Sequence, residues 1–341
     1  MVHGDFMIFV RRVLFLSFFV ASLCFVSCTK KVSSAESITL VMAEVNPEGT
    51  ISSRMDKAFQ EKVEELSHGK IKIDLQVGGI LGDEYNIGEL MKKPKSSIQL
   101  ERISAFMLAS EGCQKSSVLT IPFMFSGREH FWKFANSSYA DEILNEPYEK
   151  GIVVKGLFFG EEGFRHFFST KPLSGIADFK GMNLRITPDD VMTGIAKGLL
   201  ANPVSVNFGD LFMALQTGKV DGAEQPIANY LANQFHKVAP YMILDGHTLG
   251  VTEVIITSEC WDSLSEEQRN ILLQAGKYAG EVCKKISQEV EEESKKKLEA
   301  DGVHFADAGD LSLWKEAAKE IISKHSQAEP KLYESIQNLA Y

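Results

Sequence analysis

The sequence predicts an α/β protein with two domain-sized bodies, on three observations. The chain has 341 residues, enough to bury two cores. Its first ordered segments read strand, helix, strand: ITLVMAEV (38–45), ISSRMDKAFQEKVEELSHGKI, then alternating IKIDLQVGG (71–79). Such a β-α-β unit implies a parallel pair with a right-handed crossover. Near the end, SEEQRNILLQAGKYAGEVCKKISQEVEEESKKKLEADG (265–302) keeps a 3.6-residue period. A helix of about 37 residues is roughly 55 Å long at 1.5 Å per residue, longer than one domain of this size. It either protrudes or runs across both bodies.

The N-terminus is different. Arg11-Arg12 precedes an apolar stretch at 13–26, followed by Ser27-Cys28. A charged head, an apolar run and a small residue before a cysteine make a secretory signal over 1–27. FVSC is similar to a bacterial lipobox, with cleavage before Cys28 and lipid added to it, and Met7 offers a second start. A plain signal peptide and an uncleaved anchor are the alternatives, although fourteen apolar residues are short for a span. Residues 28–37 read as a polar tether, so the body is expected outside the cytoplasmic membrane, periplasmic and held by lipid at Cys28.

Within the body, Met55, Phe59 and Val63 mark the buried face of the first helix, and His68-Gly69 ends it. SIQLERISAFML, GIVVKGLFFGEEGFRHFFST, DFKGMNLRIT and PVSVNF carry further strands. DDVMTGIAKGLL and GDLFMALQTGKV read as helices and DGAEQP (221–226) as a loop. In the long helix, Ser265 with Gln268 forms a capping-box pattern, and Gly302 is the expected C-cap.

Composition excludes several classes. A net charge of −10 makes nucleic acid an unsuited partner. Cys113, Cys260 and Cys283 have no metal-type spacing and predict buried thiols with at most one disulfide. No nucleophile elbow, phosphate loop, HExxH or close acid pair is present, so no enzyme, cofactor or metal is expected. His166, beside Arg165, is the histidine of most interest, and a calcium site in DGAEQP has too few acids.

The stretch GMNLRIT (181–187) frames the functional question. Met182, Leu184 and Ile186 alternate with Asn183, Arg185 and Thr187, which puts Arg185 on the polar face of a short strand. A guanidinium is costly to bury unpaired. Its partner is either a structural acid, such as Asp221 or Glu224, or a ligand.

GGILGDE, IPFMFSGREHFWK, GFRHFFSTKPLSGIADFKGMNLRIT, LLANPVSVNFGDLFMALQTGKVDGAEQP and the long helix occur in that order from about residue 38 to the end. In this order and spacing the chain resembles the solute-binding proteins of TRAP (tripartite ATP-independent periplasmic) transporters, a DctP-like family. The resemblance implies a two-lobed, periplasmic-binding-protein-like α/β fold with a central ligand cleft and the long helix spanning both lobes. Lobe I is expected at 38–162 plus 251–290, and lobe II at 163–250 plus 291–341. It implies that Arg185 grips a carboxylate on an organic acid, that Arg165 assists, and that Gln225 stands where the family often has asparagine. A guanidinium fork matches a carboxylate with two charge-assisted bonds. Phe167 or Phe168, close to Arg165, is expected as an apolar wall, which favours an apolar or amphipathic acid over a small polyhydroxy one. MKKPKSSIQL departs from the family at Pro94 and Gln99, leaving Glu84 and Glu44 as first-lobe candidates. The implied partners are membrane permease subunits and, in a variant of these systems, a helical-repeat (TPR-type) companion protein. The rival function is a surface lipoprotein of the same fold with a scaffolding or adhesion role.

Overall fold

The computed structural model describes residues 37–340. The expected signal, Cys28 and the tether lie outside these residues, Ser37 excepted. Among the described residues no helix is long and apolar enough to cross a membrane.

The body is a two-lobed α/β structure organised by a nine-stranded mixed sheet. The strands are β1 (Ile38–Ala43), β2 (Ile71–Gln76), β3 (Leu100–Ser104), β4 (Val154–Ser169), β5 (Asn183–Ile186), β6 (Asn202–Ser205), β7 (Gly222–Pro226), β8 (Tyr241–Thr257) and β9 (His304–Asp307). Their order is β2-β1-β3-β8-β4-β7-β5-β6, with β9 against β8. β1 and β2 are parallel, Ile38 opposite Ile71. The crossover is α1 (Ile51–Leu66), opened by Thr50, whose hydroxyl accepts from the Ser53 amide. Its expected face, Met55, Phe59 and Val63, is buried.

The segment expected as a loop, DGAEQP, is largely strand β7. Each residue of Gly222–Pro226 is buried, antiparallel to β4 and adjoining β5 in parallel. Asp, Gly and Pro gave it a loop-like composition, but a central strand covered on both faces does not need alternation.

Two strands carry the two-lobe plan. β4 and β8 are 16 and 17 residues long and antiparallel to each other. An average strand has about 5–6 residues, so each reaches through both lobes. Leu157, Phe158 and Phe159 of β4 and Val251, Val254 and Ile256 of β8 enter the first-lobe core with Phe59, Phe131 and Trp132. Phe167 and Ile243, from the other ends, pack with Phe179, Leu184 and Trp314. Phe168 and Met242 pack with Leu215, Tyr230 and Phe235. The pairing slips between Glu161 and Phe164, where the two cores change over. Gly163 there has φ +96°, a conformation open to glycine, and its amide donates to Glu161 Oε2 at 2.6 Å. Arg128 pins the slip by donating to Glu161 Oε1 at 3.0 Å and Glu291 Oε2 at 2.7 Å.

The helices are α2 (Glu84–Met91), α3 (Ala105–Ser110), α4 (Gln114–Leu119), α5 (Arg128–Ala135), α6 (Ser138–Glu149), α7 (Asp190–Gly198), α8 (Leu211–Gln216), α9 (Ile227–Ala232), α10 (Ser258–Ser263), α11 (Glu266–Ala300), α12 (Leu311–Ala317), α13 (Lys319–Ala328) and α14 (Pro330–Asn338). α11 is the long helix: 35 residues, about 52 Å at 1.5 Å per residue, with both bonds of the Ser265–Gln268 capping box formed. Leu272, Ala279 and Val290 enter the first-lobe core and Leu298 the second, so the helix runs across both lobes.

The C-terminal segment corrects the expected lobe assignment. Trp314, Ala318 and Ile321 of α12, α13 and their junction join the second lobe. Leu332 and Ile336 of α14 return to the first-lobe core, although 291–341 was expected in the second. The Ile336 carbonyl lies 2.7 Å from His130 Nε2. Two apolar residues on an amphipathic helix do not reveal which core they enter. Cys113, Cys260 and Cys283 are all free.

A close approach between α11 and β4 yields a prediction. A Cβ at Gly276 would meet Phe158 Cγ at 2.9 Å. Alanine gains about 1 kcal/mol of helix propensity over glycine, but overpacking costs about 1–3 kcal/mol. Gly276→Ala should therefore lower the urea midpoint with an unchanged m-value.

Candidate functional site

A cavity between the lobes is lined by Glu84, Arg102 and Glu162 from one side and by Arg165, Arg185 and Gln225 from the other. Arg185 reaches it by strand alternation. Its neighbours Leu184 and Ile186 point into the second-lobe core, and Arg185 points to the cleft side, 3% exposed. Its Nε donates to the Val206 carbonyl at 2.9 Å, and Nη1 reaches Thr187 Oγ1 at 3.5 Å. No acidic oxygen among the described residues lies within 4.0 Å of it. Burial without an ion partner pushes its pKa down to about 10, against the more distant pull of Glu224. The group stays charged at neutral pH and lacks a counter-charge.

Both structural acids open to Arg185 are engaged elsewhere. Asp221 Oδ1 meets Lys171 Nζ at 2.6 Å, and its Oδ2 accepts from the Asn183 amide at 2.8 Å. Glu224 is held by the fork of Arg165, through Nε to Oε2 and through Nη2 to Oε1 at 2.9 Å. Arg165 thus lines the cavity with its charge matched, and its guanidinium lies 5.3 Å from the Phe106 ring centre.

Arg102 completes the site and was not singled out from the sequence. It is 1% exposed on β3. Nε and Nη2 donate to the two oxygens of Glu44 at 2.8 and 2.6 Å, and Nη1 donates to Glu84 Oε1 at 2.7 Å. Glu84 also accepts from the Ser104 amide at 3.2 Å and its hydroxyl at 2.9 Å. Both first-lobe candidates, Glu44 and Glu84, are therefore clamped to Arg102, and Glu84 borders the cavity. The available signal was LERIS itself, whose adjacent Glu101 and Arg102 put charge on both faces of a short buried strand. Beneath the cluster, Asp56 is fully buried and neither oxygen has a donor. Burial, with Glu44 beside it, holds its pKa far above the usual carboxylate range. Burial beside Glu44 thus favours the protonated, neutral form of Asp56.

Gln225 lines the cavity and is 3% exposed. Phe167 and Phe168 do not line it, which corrects the expected aromatic wall. Both are fully buried. Phe167 stacks on His247 at 4.3 Å and touches Phe179 at 5.1 Å, and Phe168 packs on Tyr230 at 4.8 Å. β4 at this point is flanked by β7 and β8, and a core covers each of its faces, so alternation sends neither ring to the cleft. The apolar lining comes from Val45, Tyr85, Met107 and Phe208. Asn46, Ser104, Thr187, Asn207 and Asn229 make much of the remainder polar.

His166 accepts a bond from the Gly246 amide at Nδ1, 2.9 Å, and burial pushes its pKa down to about 4. It is a neutral structural histidine, not a proton shuttle near pH 7. Among the described residues no cluster of three or more His, Cys, Asp or Glu is placed to hold a metal.

Residues 42–329 match the family model of bacterial extracellular solute-binding proteins, family 7 (DctP). The chain is 24% identical over 283 residues to the sialic acid-binding periplasmic protein SiaP of Vibrio cholerae, covering 83% of this chain and 87% of that one. It is 25% identical over 285 residues to the C4-dicarboxylate-binding periplasmic protein DctP of Rhodobacter capsulatus, covering 83% and 84%. A TRAP periplasmic solute binding protein from Bradyrhizobium sp., crystallised with α/β-D-galacturonate, is similar at TM-score 0.84 and 26% identity, covering 88% of this chain and 100% of that one.

Two predictions follow from the geometry. Arg102→Ala leaves Glu44 and Glu84 without their cation and should destabilise the fold by about 3–5 kcal/mol in chemical denaturation. His166, with its folded pKa near 4 against an ordinary 6.5, stabilises fully above pH 6.5. As pH falls the unfolded chain takes the proton first, so about 3 kcal/mol is lost down to roughly pH 4. His166→Asn should flatten that part of the stability-pH curve, and an unchanged slope would contradict the assignment.

Proposed function

The chain belongs to the bacterial extracellular solute-binding proteins, family 7, the DctP receptors of TRAP transporters, and from that premise we propose that its cleft captures a sugar acid by the carboxylate and delivers it to membrane permease subunits. The family binds solutes and does not transform them. The observation that carries the ligand class is Arg185, a buried guanidinium at the cavity without an acid, beside two arginines whose acids are already in place. A carboxylate supplies the missing charge with two parallel bonds, which lysine cannot reproduce.

The polar lining supports hydroxyl-bearing solutes over apolar ones. Five neutral polar side chains, Asn46, Ser104, Thr187, Asn207 and Asn229, together with Gln225, offer donors and acceptors around the cavity. The galacturonate complex of the Bradyrhizobium protein is consistent with that chemistry. The lobes close about the slip at Glu161–Phe164, where β4 and β8 pass from one core to the other. Because the lobes grip one solute from both sides, closure and capture are one event.

Titration calorimetry with D-galacturonate, D-glucuronate, galactonate and succinate tests this reading. At least one sugar acid should bind more tightly than succinate. Arg185→Ala should weaken it by about a hundredfold or more, on the order of 3 kcal/mol, with its circular dichroism spectrum unchanged. A variant that keeps its affinity and loses stability would make Arg185 a structural residue. Binding of none of the acids by the wild type would favour the scaffolding role.

A further inference from the structure

Glu162 differs from the other acids of the cleft. Glu44 and Glu224 each accept two guanidinium bonds, and Glu84 accepts one from Arg102 with two more from Ser104. Glu162, 3% exposed, accepts a single amide N–H, from Asn46 Nδ2 at 3.1 Å. The guanidiniums of Arg102 and Arg165 stand off at 3.6 and 3.9 Å, each held by a closer carboxylate. Glu162 nevertheless lines the cavity.

The ionisable groups facing Glu162 come from several elements. They are Glu44 after β1, Asp56 on α1, Glu84 on α2, Arg102 on β3, Arg165 on its own strand and the Cys283 thiol on α11. β8 presents the backbone of Gly250. Leaving Asp56 aside, Glu44, Asp83, Glu84, Glu162 and Glu224 face Arg102, Arg165 and Arg185. The carboxylates that line or brace the cavity therefore outnumber its guanidiniums before a solute arrives. A monoanion on Arg185 adds to that excess in a space from which closure removes water, where an uncompensated charge is costly. Protonating one acid relieves it. Glu162 and Asp83 can gain a proton without breaking a direct bond to a guanidinium, but Asp83 caps α2 through the Asn86 amide, and Glu162 is the buried one of the two. Burial already raises its proton affinity above the ordinary carboxylate value. As a neutral carboxyl it also becomes a donor for a solute oxygen.

We propose that Glu162 is a specificity residue that meets the solute as a neutral acid, so that a monoanion enters the cleft together with a proton. A zwitterion, by contrast, would set its ammonium against ionised Glu162 and carry no proton in. The proposal rests on the carboxylate reading of Arg185 and adds the proton to it.

The test is calorimetric binding of D-galacturonate to the full chain, in buffers of different ionisation enthalpy across about pH 6–8. Wild type should take up about one proton per solute in the lower part of this range, and its affinity should fall by up to about tenfold per unit as pH rises. Glu162→Gln should bind with little proton uptake and a nearly flat pH profile. Wild-type uptake near zero, or uptake and slope unchanged in Glu162→Gln, overturns the proposal and leaves the carboxylate reading standing. The wild-type proton count decides the matter even if the variant folds poorly. Wild type that binds no sugar acid at any pH overturns both readings.

Discussion

A guanidinium in a dry cleft needs a counter-charge, and this cleft holds three guanidiniums within reach of one cavity. Two are satisfied inside the protein. Arg102 takes Glu44 and Glu84, and Arg165 takes Glu224. Those pairings join separate elements: the end of β1 and α2 to β3 in the first lobe, β7 to β4 in the second. They fix the walls of the cavity before any solute is present. Arg185, fastened at Nε by the Val206 carbonyl and reaching Thr187 with Nη1, is the one for which we propose a solute carboxylate as counter-charge. Pre-organised in this way, it would lose little freedom on binding a carboxylate.

The same two strands that bring these groups together also carry the hinge of the closure proposed above. β4 carries Glu161 and Glu162 at the slip and Arg165 just beyond it, while β8 runs antiparallel alongside. On that proposal, a change of angle at Gly163 would shift Arg165 relative to Glu162. α11 and the returning α14 tie the lobes at other points, through Leu298 in one core and Leu332 and Ile336 in the other.

Local chemistry was readable in the sequence and long-range pairing was not. Ser265 and Gln268 announce the start of α11 because a capping box involves only four consecutive residues. Met182, Leu184 and Ile186 announce the buried face of β5, which leaves Arg185 on the other face. Gln225 and Glu84 reach the cavity as well. Arg102 escaped notice because its meaning depends on Glu44, 58 positions away. Phe167 and Phe168 were misplaced because alternation identifies opposite faces and cannot say that both are covered. DGAEQP read as a loop because turn-type residues were weighed without the strands on either side of it.

The central claim is that Arg185 is left without an acid so that a solute carboxylate can supply one. A double cycle tests it most directly: calorimetric affinities of D-galacturonate and its neutral methyl ester, for wild type and for Arg185→Ala. The account predicts that wild type prefers the acid to the ester by about a hundredfold and that the variant does not distinguish them, a coupling on the order of 3 kcal/mol. Equal preference in both proteins would mean that Arg185 does not hold the carboxylate, and the account of the cleft would be wrong.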